Sequence, residues 1–388
     1  MSRFAVIAIG YNRVESMNRL LLSLSRGDYT EEVDLIISID YSGSDDVQHC
    51  AELFEWHFGN KIIRIFHERQ GLKKHILSCG DYLEEYDAVA LFEDDIVVSP
   101  SFFSFMQQSY DFYKNENQIA GISLYSHAWN VNKEETFYPE PSEYDTYFFQ
   151  FAQSWGQIWL KKQWIGFKQW LKNNNGKVET APDIPSNVSQ WPDNSWLKYH
   201  IKYCIRENKY FVYPYISMSS CFSDVGEHQK RKNTIFQVPI STSRREKWNF
   251  APFHESAIKY DAFFERQGLG KIIGIPDNDL LIDLYGSKTD STYQRFILTM
   301  KSYPYHILES YGLQLRPHEV NVEVRNPGND IFLYDRTIPA PPPDVGNLQL
   351  KQFCYHQRIL FQNKKMAMLL IENLNYKINR LVKSVHSS

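Results

Sequence analysis

Apolar residues along the first hundred positions fall in short runs, and amphipathic stretches separate them. Residues 4–9 make an apolar, partly β-branched run that predicts a first strand. Gly10, Tyr11, Asn12 and Arg13 follow as a loop. The spacing then predicts a helix over 15–25, with Met17, Leu20, Leu21 and Leu24 on one face. Residues 34–39 predict a second strand, which ends in Asp40. A turn over 41–44 leads to a helix bearing Val47, Ala51, Leu53 and Phe54, with Ser44 placed to cap it. A third strand over 61–66, a helix over 71–83 and a fourth strand over 88–92 complete the series. Strand–helix alternation with short connections predicts a parallel sheet with right-handed crossovers.

The fourth strand runs straight into Glu93, Asp94 and Asp95, and a second apolar run follows. In an open α/β sheet, ligands bind at the carboxyl ends of the strands. Three adjacent carboxylates repel one another unless a cation joins them, and hard oxygen ligands suit Mg2+ or Mn2+. The functional reading is a metal site that holds a diphosphate. The plain alternative is a turn whose acids are solvated or cap the helix starting near Pro100. Other polar residues close the other strands on the same edge. Arg13, Lys73 and Lys74 can face phosphates there, and Asp40 can bind a ribose hydroxyl or a base edge.

Several classes drop out. No Walker A pattern is present, and Gly10 stands alone after the first strand, so the dinucleotide fingerprint is missing. Gly268, Gly270 and Gly274 imitate it, but they follow a helix-like run over 262–267 rather than a strand. The net charge of −4 does not suggest a nucleic-acid partner. The five cysteines (Cys50, Cys79, Cys204, Cys221, Cys354) are scattered, with no CxxC pair, which fits a reducing, cytoplasmic setting without a zinc site. The N-terminus enters a strand at once and lacks signal-peptide shape, and no apolar run approaches the ~20 residues a spanning helix needs. The aromatic fraction of 15% suits sugar or base stacking, but a large core explains it more cheaply.

The segments 37–43, 92–103 and 126–130 resemble nucleotide-sugar glycosyltransferases of the GT-A fold. The similarity is to N-acetylglucosaminyltransferase I and to bacterial enzymes of surface-polysaccharide synthesis, over about residues 4–230. The Glu93-Asp94-Asp95 strand end with Phe102 and Phe103 behind it is its specific part. The resemblance implies a Rossmann-like mixed sheet flanked by helices, a UDP-sugar donor and inversion at the anomeric carbon. It implies that Asp95 coordinates Mn2+ on the donor diphosphate, that Glu93 lies near the donor sugar, and that Asp94 lies near the ribose. Asp40 is expected at the nucleoside and Arg13 near the base or phosphate. Trp155 and Gly156 match a glycine-containing loop beside donor and acceptor.

The family's catalytic base is an Asp just before a Trp. Here Asn194 and Ser195 precede Trp196, and the acid stands one residue further back, at Asp193. Asp193 is therefore the candidate base, with a helix N-cap as its alternative role. Asp224 and Glu227 are runners-up. Gly226 and His228 match a loop of the bacterial relatives, where the histidine would meet the metal or the diphosphate. The alternatives to a transferase are a sugar-phosphate nucleotidyltransferase, whose glycine-rich Arg-containing opening loop is absent, and a non-catalytic carbohydrate-binding protein.

These readings divide the chain into a catalytic domain over 1–235, an accessory, acceptor-side region over 236–338, a Pro-rich linker over 339–346 and a basic helical tail over 347–388. A single helix is expected over 348–385, with Leu370, Leu374, Ile378, Leu381 and Val385 on one face. From Arg358 onward six Lys or Arg stand against one Glu (Glu372), a balance of +5. Such a helix can lie on the inner face of an anionic membrane, near a lipid-linked glycan acceptor. It can equally pack on the catalytic domain or on a second subunit of a homo-oligomer.

Overall fold

The computed structural model describes residues 2–224, 234–289, 293–358 and 363–385. The first four strands are β1 (Phe4–Gly10), β2 (Asp34–Ile39), β3 (Lys61–Ile65) and β4 (Ala88–Glu93). Between them lie α1 (Val14–Leu24), α2 (Asp46–Leu53) and α3 (Leu72–Cys79). All four strands are parallel, in the order β3-β2-β1-β4. Each expected element is present within a few residues of its expected ends, because each apolar run is bounded by polar and turn-forming residues that end the strand or helix.

Alternation along the strands explains why both faces are covered. Phe4, Val6 and Ala8 of β1 belong to one core, with Leu20, Leu21 and Leu24 of α1. Ala5, Ile7 and Ile9 belong to the other, with Ile76 and Cys79 of α3. Parallel strands buried on both sides read as continuous apolar runs for this reason. Gly10 closes β1 where a Cβ would run into the Met17 side chain, so α1 can lie close against the strand end.

A short β5 (Ile96–Val98) leaves the acidic turn, and α4 (Phe102–Tyr113) follows it. The strand β6 (Ile119–Ser123), a two-stranded β7 (Trp129–Asn130) and β8 (Glu135–Thr136), and then β9 (Thr146–Phe149) and β10 (Gln157–Leu160) come next. The helices α5 (Lys161–Asn173), α6 (Ser186–Gln190) and α7 (Leu197–Arg206) precede β11 (Tyr210–Pro214), β12 (Ser219–Cys221) and β13 (Lys259–Tyr260). The large sheet has nine strands in the order β13-β9-β11-β6-β10-β4-β1-β2-β3. β10 is antiparallel to both β4 and β6, and β9 is antiparallel to β11, so the sheet is mixed. This is an α/β fold with helices on both faces of a mixed sheet.

Beyond it, α8 (Leu269–Ile273), β14 (Leu280–Asp283), β15 (Phe296–Thr299), β16 (Tyr305–Tyr311), α9 (Val320–Glu323) and β17 (Ile331–Pro339) build a second sheet, ordered β14-β15-β17-β16, over its own small core. The segment 236–338 thus contributes β13 to the large sheet and most of the small one. The 262–267 stretch is not helical. The Asp261 side chain accepts the amide N–H groups of Phe263 and Glu265, and Phe264 takes a positive φ of 68°. Helix α8 lies instead between Gly268 and Gly274.

By contacts the chain divides into residues 1–343 and 344–388. The second unit holds two helices, α10 (Leu348–Gln357) and α11 (Asn363–Val385), rather than one. The first ends at Arg358, whose φ of 50° is incompatible with a continuing helix. Among the described residues no helix is long and apolar enough to cross a membrane.

Candidate active site

The chain runs from β1 outward to β2 and β3, then returns to place β4 on the other side of β1. The loops after β1 and β4 therefore diverge and leave a crevice at the carboxyl edge, the position where open α/β sheets bind ligands. Arg13 enters this crevice from the β1 loop and meets the acids at the end of β4. Its Nε donates to Asp94 Oδ2 at 3.2 Å, and its Nη2 donates to Asp94 Oδ1. Its Nη1 lies 3.6 Å from Asp95 Oδ2. The cation that relieves the crowded carboxylates is thus a guanidinium of the same chain.

The electrostatics follow from burial and crowding. Burial, then the charges of Asp95 and Asp94, push the Glu93 carboxyl up to about 8, against the pull of Arg13. Burial pushes Asp94 up to about 6, although its bond to Arg13 holds it down. Asp95 is raised by burial and by Asp224, with Arg13 opposing. Burial disfavours the Arg13 charge, but the hydrogen bond and charge of Asp94 outweigh it and raise its pKa.

Asp224 arrives on a second ribbon. β12 pairs antiparallel with β5, and the Phe222 amide donates to the Asp95 carbonyl at 2.9 Å. Asp224 then accepts from Ser16 Oγ at 2.9 Å and from Arg19 Nη2, while the Arg19 guanidinium sits 4.1 Å over the Phe222 ring. Burial works against the Asp224 charge, but Arg19 and Ser16 outweigh it and lower its pKa. Ser16 and Arg19 are absent from the sequence-based candidates. Their signal was the spacing Arg13, Ser16, Arg19, which puts three polar side chains on one side of the first turns of α1. Among the described residues no three His, Cys, Asp or Glu side chains converge as a ligand set. Gly226, Glu227 and His228 lie outside the described residues.

Trp155 and Gly156 stand at the level of the acidic turn. Gln157 of β10 is opposite Leu91 of β4, so the residues just before β10 face the last residues of β4. Gly156 has φ +94°, and an added Cβ would stand 2.7 Å from Ser219 Oγ. Ser219 Oγ donates to the Trp155 carbonyl at 2.6 Å. The Trp155 ring packs against Tyr125 and Phe236, with centroids 4.9 and 4.8 Å away. Gln153 Oε1 accepts the amide N–H groups of Ser154 and Trp155, and its amide nitrogen lies 3.1 Å from His127 Nε2.

Two further candidates, Lys73 and Asp193, lie within electrostatic reach of each other. Lys73 lies 3.7 Å over the Tyr199 ring and donates to Asn175 Oδ1 at 2.7 Å. Burial and the charge of Lys198 lower its pKa, with Asp193 opposing. Lys198 is buried and donates to the Trp191 carbonyl at 3.0 Å and to Asp193 Oδ1 at 2.6 Å. That pair lowers the pKa of Asp193, whose side chain is 71% exposed. Asp193 does not cap the helix. Trp196 holds the cap position of α7, without a side-chain bond. Since α7 leads into β11, which runs parallel to β4 through β6 and β10, its start points to the same edge as the acidic turn.

Asp40 is engaged by backbone. It accepts from the amides of Gln70 (2.7 Å), Gly71 (2.9 Å) and Tyr41 (2.9 Å), tying the end of β2 to the loop that opens α3.

No protein-family model matches the sequence, and no curated protein matches it. Solved structures overlap with parts of it. S. aureus TarS 1–349 in complex with UDP-GlcNAc gives a TM-score of 0.35 at 13% identity, over 60% of this chain and 61% of that one. The same fragment in complex with UDP gives 0.34 at 14%, over 54% and 57%. The mannosyltransferase PcManGT from Pyrobaculum calidifontis, in complex with GDP-Man and Mn2+, gives 0.33 at 12%, over 55% and 57%. These matches span under two thirds of each of those structures.

Proposed function

We propose that the protein is a GT-A glycosyltransferase that moves a sugar from a UDP-sugar to a hydroxyl of a glycan or lipid-linked acceptor, with inversion, in bacterial surface-polysaccharide synthesis. The observation that carries this reading is the acidic turn at the crevice between β1 and β4, spanned by Arg13 and joined by Asp224. Such a site offers paired cationic and anionic groups to a ligand that carries both phosphate and a divalent ion.

The donor set fits a hard cation. Asp95 would hold Mn2+ or Mg2+, with Asp224 close enough to raise its pKa. Mg2+-like ions take only one or two protein carboxylates when phosphates and water complete their shell, so a three-acid cluster is not required. When bound, the ion would stabilise negative charge on the departing diphosphate. Arg13 and Arg19 would face the phosphates, Asp94 and Asp40 would lie on the nucleoside side, and Glu93 would lie near the donor sugar. Trp155 and Gly156 would border the sugar.

Asp193 is the base in this reading. Like any exposed carboxylate it is ionised at neutral pH, and Lys198 lowers its pKa further, so it would be free of a proton and able to accept that of the acceptor hydroxyl. The acceptor oxygen then bonds to the anomeric carbon as the bond to the UDP oxygen breaks. Lys73, beside Asp193, adds positive charge at this end of the site.

Calorimetric titration of UDP and a panel of nucleotide sugars, with and without Mn2+, tests the reading on wild type and Asp95→Ala. The expected result is metal-dependent UDP binding that Asp95→Ala abolishes. Absence of binding by every uridine nucleotide under both conditions would overturn it.

A further inference from the structure

Helix α11 presents apolar side chains to solvent. Ile371, Leu374 and Ile378 are 58%, 58% and 56% exposed, so nothing else described within residues 344–388 covers them. Most helices in proteins owe their stability to packing of such a face, so this one calls for an occupant.

The spacing along α11 identifies the occupant. Apolar residues fall at Ala367, Ile371, Leu374 and Ile378, and the sequence continues the pattern at 381 (Leu) and 385 (Val). The steps alternate four and three, a period of 3.5, which keeps one seam facing a partner helix along its length. With Ile371 at position a of the heptad, positions a carry Ile371, Ile378 and Val385, and positions d carry Leu374 and Leu381. β-branched residues at a with leucine at d favour two parallel strands.

Charge agrees with a self-pair. In this register Lys365, Arg380 and Lys383 fall outside the seam at b, c and f. Lys377 falls at g, and no lysine occupies an e position of this register. Lys364, the one basic residue at a, lies in the first turn. Met366, Met368, Leu369 and Leu370 also lie outside a and d, at c, e, f and g, all within the first two turns.

We propose that α11 pairs in parallel with α11 of a second copy of this chain as a two-stranded coiled coil, with Ile371 and Ile378 at a and Leu374 at d. The inference is independent of the transferase reading. A helix of 23 residues is ~35 Å long, so a seam ~10 Å wide covers roughly 350 Å2 per helix. That is below the ~800 Å2 per partner of a standard interface, so the pair is a weak and reversible one.

Sedimentation equilibrium of the full chain from ~1 to ~100 µM reads the association. Wild type should move from 45.8 kDa toward twice that mass, and Ile378→Glu should stay monomeric with unchanged circular dichroism. Under oxidation Ile378→Cys should give a covalent dimer, because a parallel pair juxtaposes identical a positions. Lys365→Cys, outside the seam, should cross-link no more than wild type. A wild type that stays monomeric at ~100 µM, or forms trimers, overturns the proposal. So does equal cross-linking at 365 and 378. Co-sedimentation of a monomer with phosphatidylserine vesicles, and not with phosphatidylcholine vesicles, would assign the face to a lipid surface and also overturn it.

Discussion

Gly156→Ala probes how closely the loop before β10 approaches β12, and the structure sets its magnitude. Two costs combine. The φ of +94° lies in a region that side-chain-bearing residues adopt at about 1–3 kcal/mol. The new Cβ would also stand 2.7 Å from Ser219 Oγ, 3.0 Å from Ser219 Cβ and 3.1 Å from a Phe92 ring carbon. Ser219 has little room to yield, because its hydroxyl is bonded to the Trp155 carbonyl and its backbone pairs with Val98. Overpacking of this kind costs about 1–3 kcal/mol. The sum is roughly 2–6 kcal/mol. Urea unfolding of Gly156→Ala, Ser219→Gly and the double variant separates the parts. Ser219→Gly removes both Ser219 atoms that clash, so the double variant should recover about 1–2 kcal/mol relative to additivity, leaving the backbone cost and the Phe92 contact. A single variant within ~0.5 kcal/mol of wild type would refute the reasoning, as would strict additivity.

Lys198→Met removes the cation that holds Asp193 low. If Asp193 is the base, the acid limb of the pH profile of kcat/KM should move to higher pH, and an unmoved limb would exclude that role. Glu319 is buried, and burial pushes its carboxyl up to about 7, although the Tyr260 hydroxyl donates to Oε1 at 2.6 Å. The folded state keeps a proton that the unfolded chain loses near its ordinary value. Its contribution is therefore complete below about pH 4.5 and disappears as pH rises through 7, a change on the order of 3 kcal/mol. Glu319→Gln should remove that slope from unfolding free energies measured between pH 5 and 8, and an unchanged slope would contradict the assignment.

The sheet edge was legible in the sequence because it depends on local features: apolar runs, their lengths and the polar residues that end them. Placing Arg13, Asp40, Lys73 and the acidic turn on one edge required only that the first four strands be parallel. Two kinds of information were not local. Arg19 and Ser16 bind Asp224 across 205 and 208 positions of chain, and although their spacing sets them on one side of α1, it does not name a partner so distant in sequence. The sequence also did not show that the folded chain sets Arg13 on Asp94, a buried carboxylate that needs a counter-charge. The false helix over 262–267 shows a third limit. Its apolar composition suits a helix, yet the Asp261 side chain captures two amide N–H groups and turns the chain first.

The position of Arg13 also constrains the order of events at the crevice. The acids at the end of β4 are already neutralised in part, so in the proposed reading an incoming anion meets an Arg13 guanidinium already engaged with Asp94. It must either draw Arg13 away from Asp94 or arrive with a cation of its own. Each route ties two affinities together, and that tie is reciprocal. If the proposed reading holds, whatever factor a divalent ion adds to nucleotide binding, the nucleotide must return to the ion. Arg13→Ala would change the size of that shared factor, and its equality in the two directions would remain.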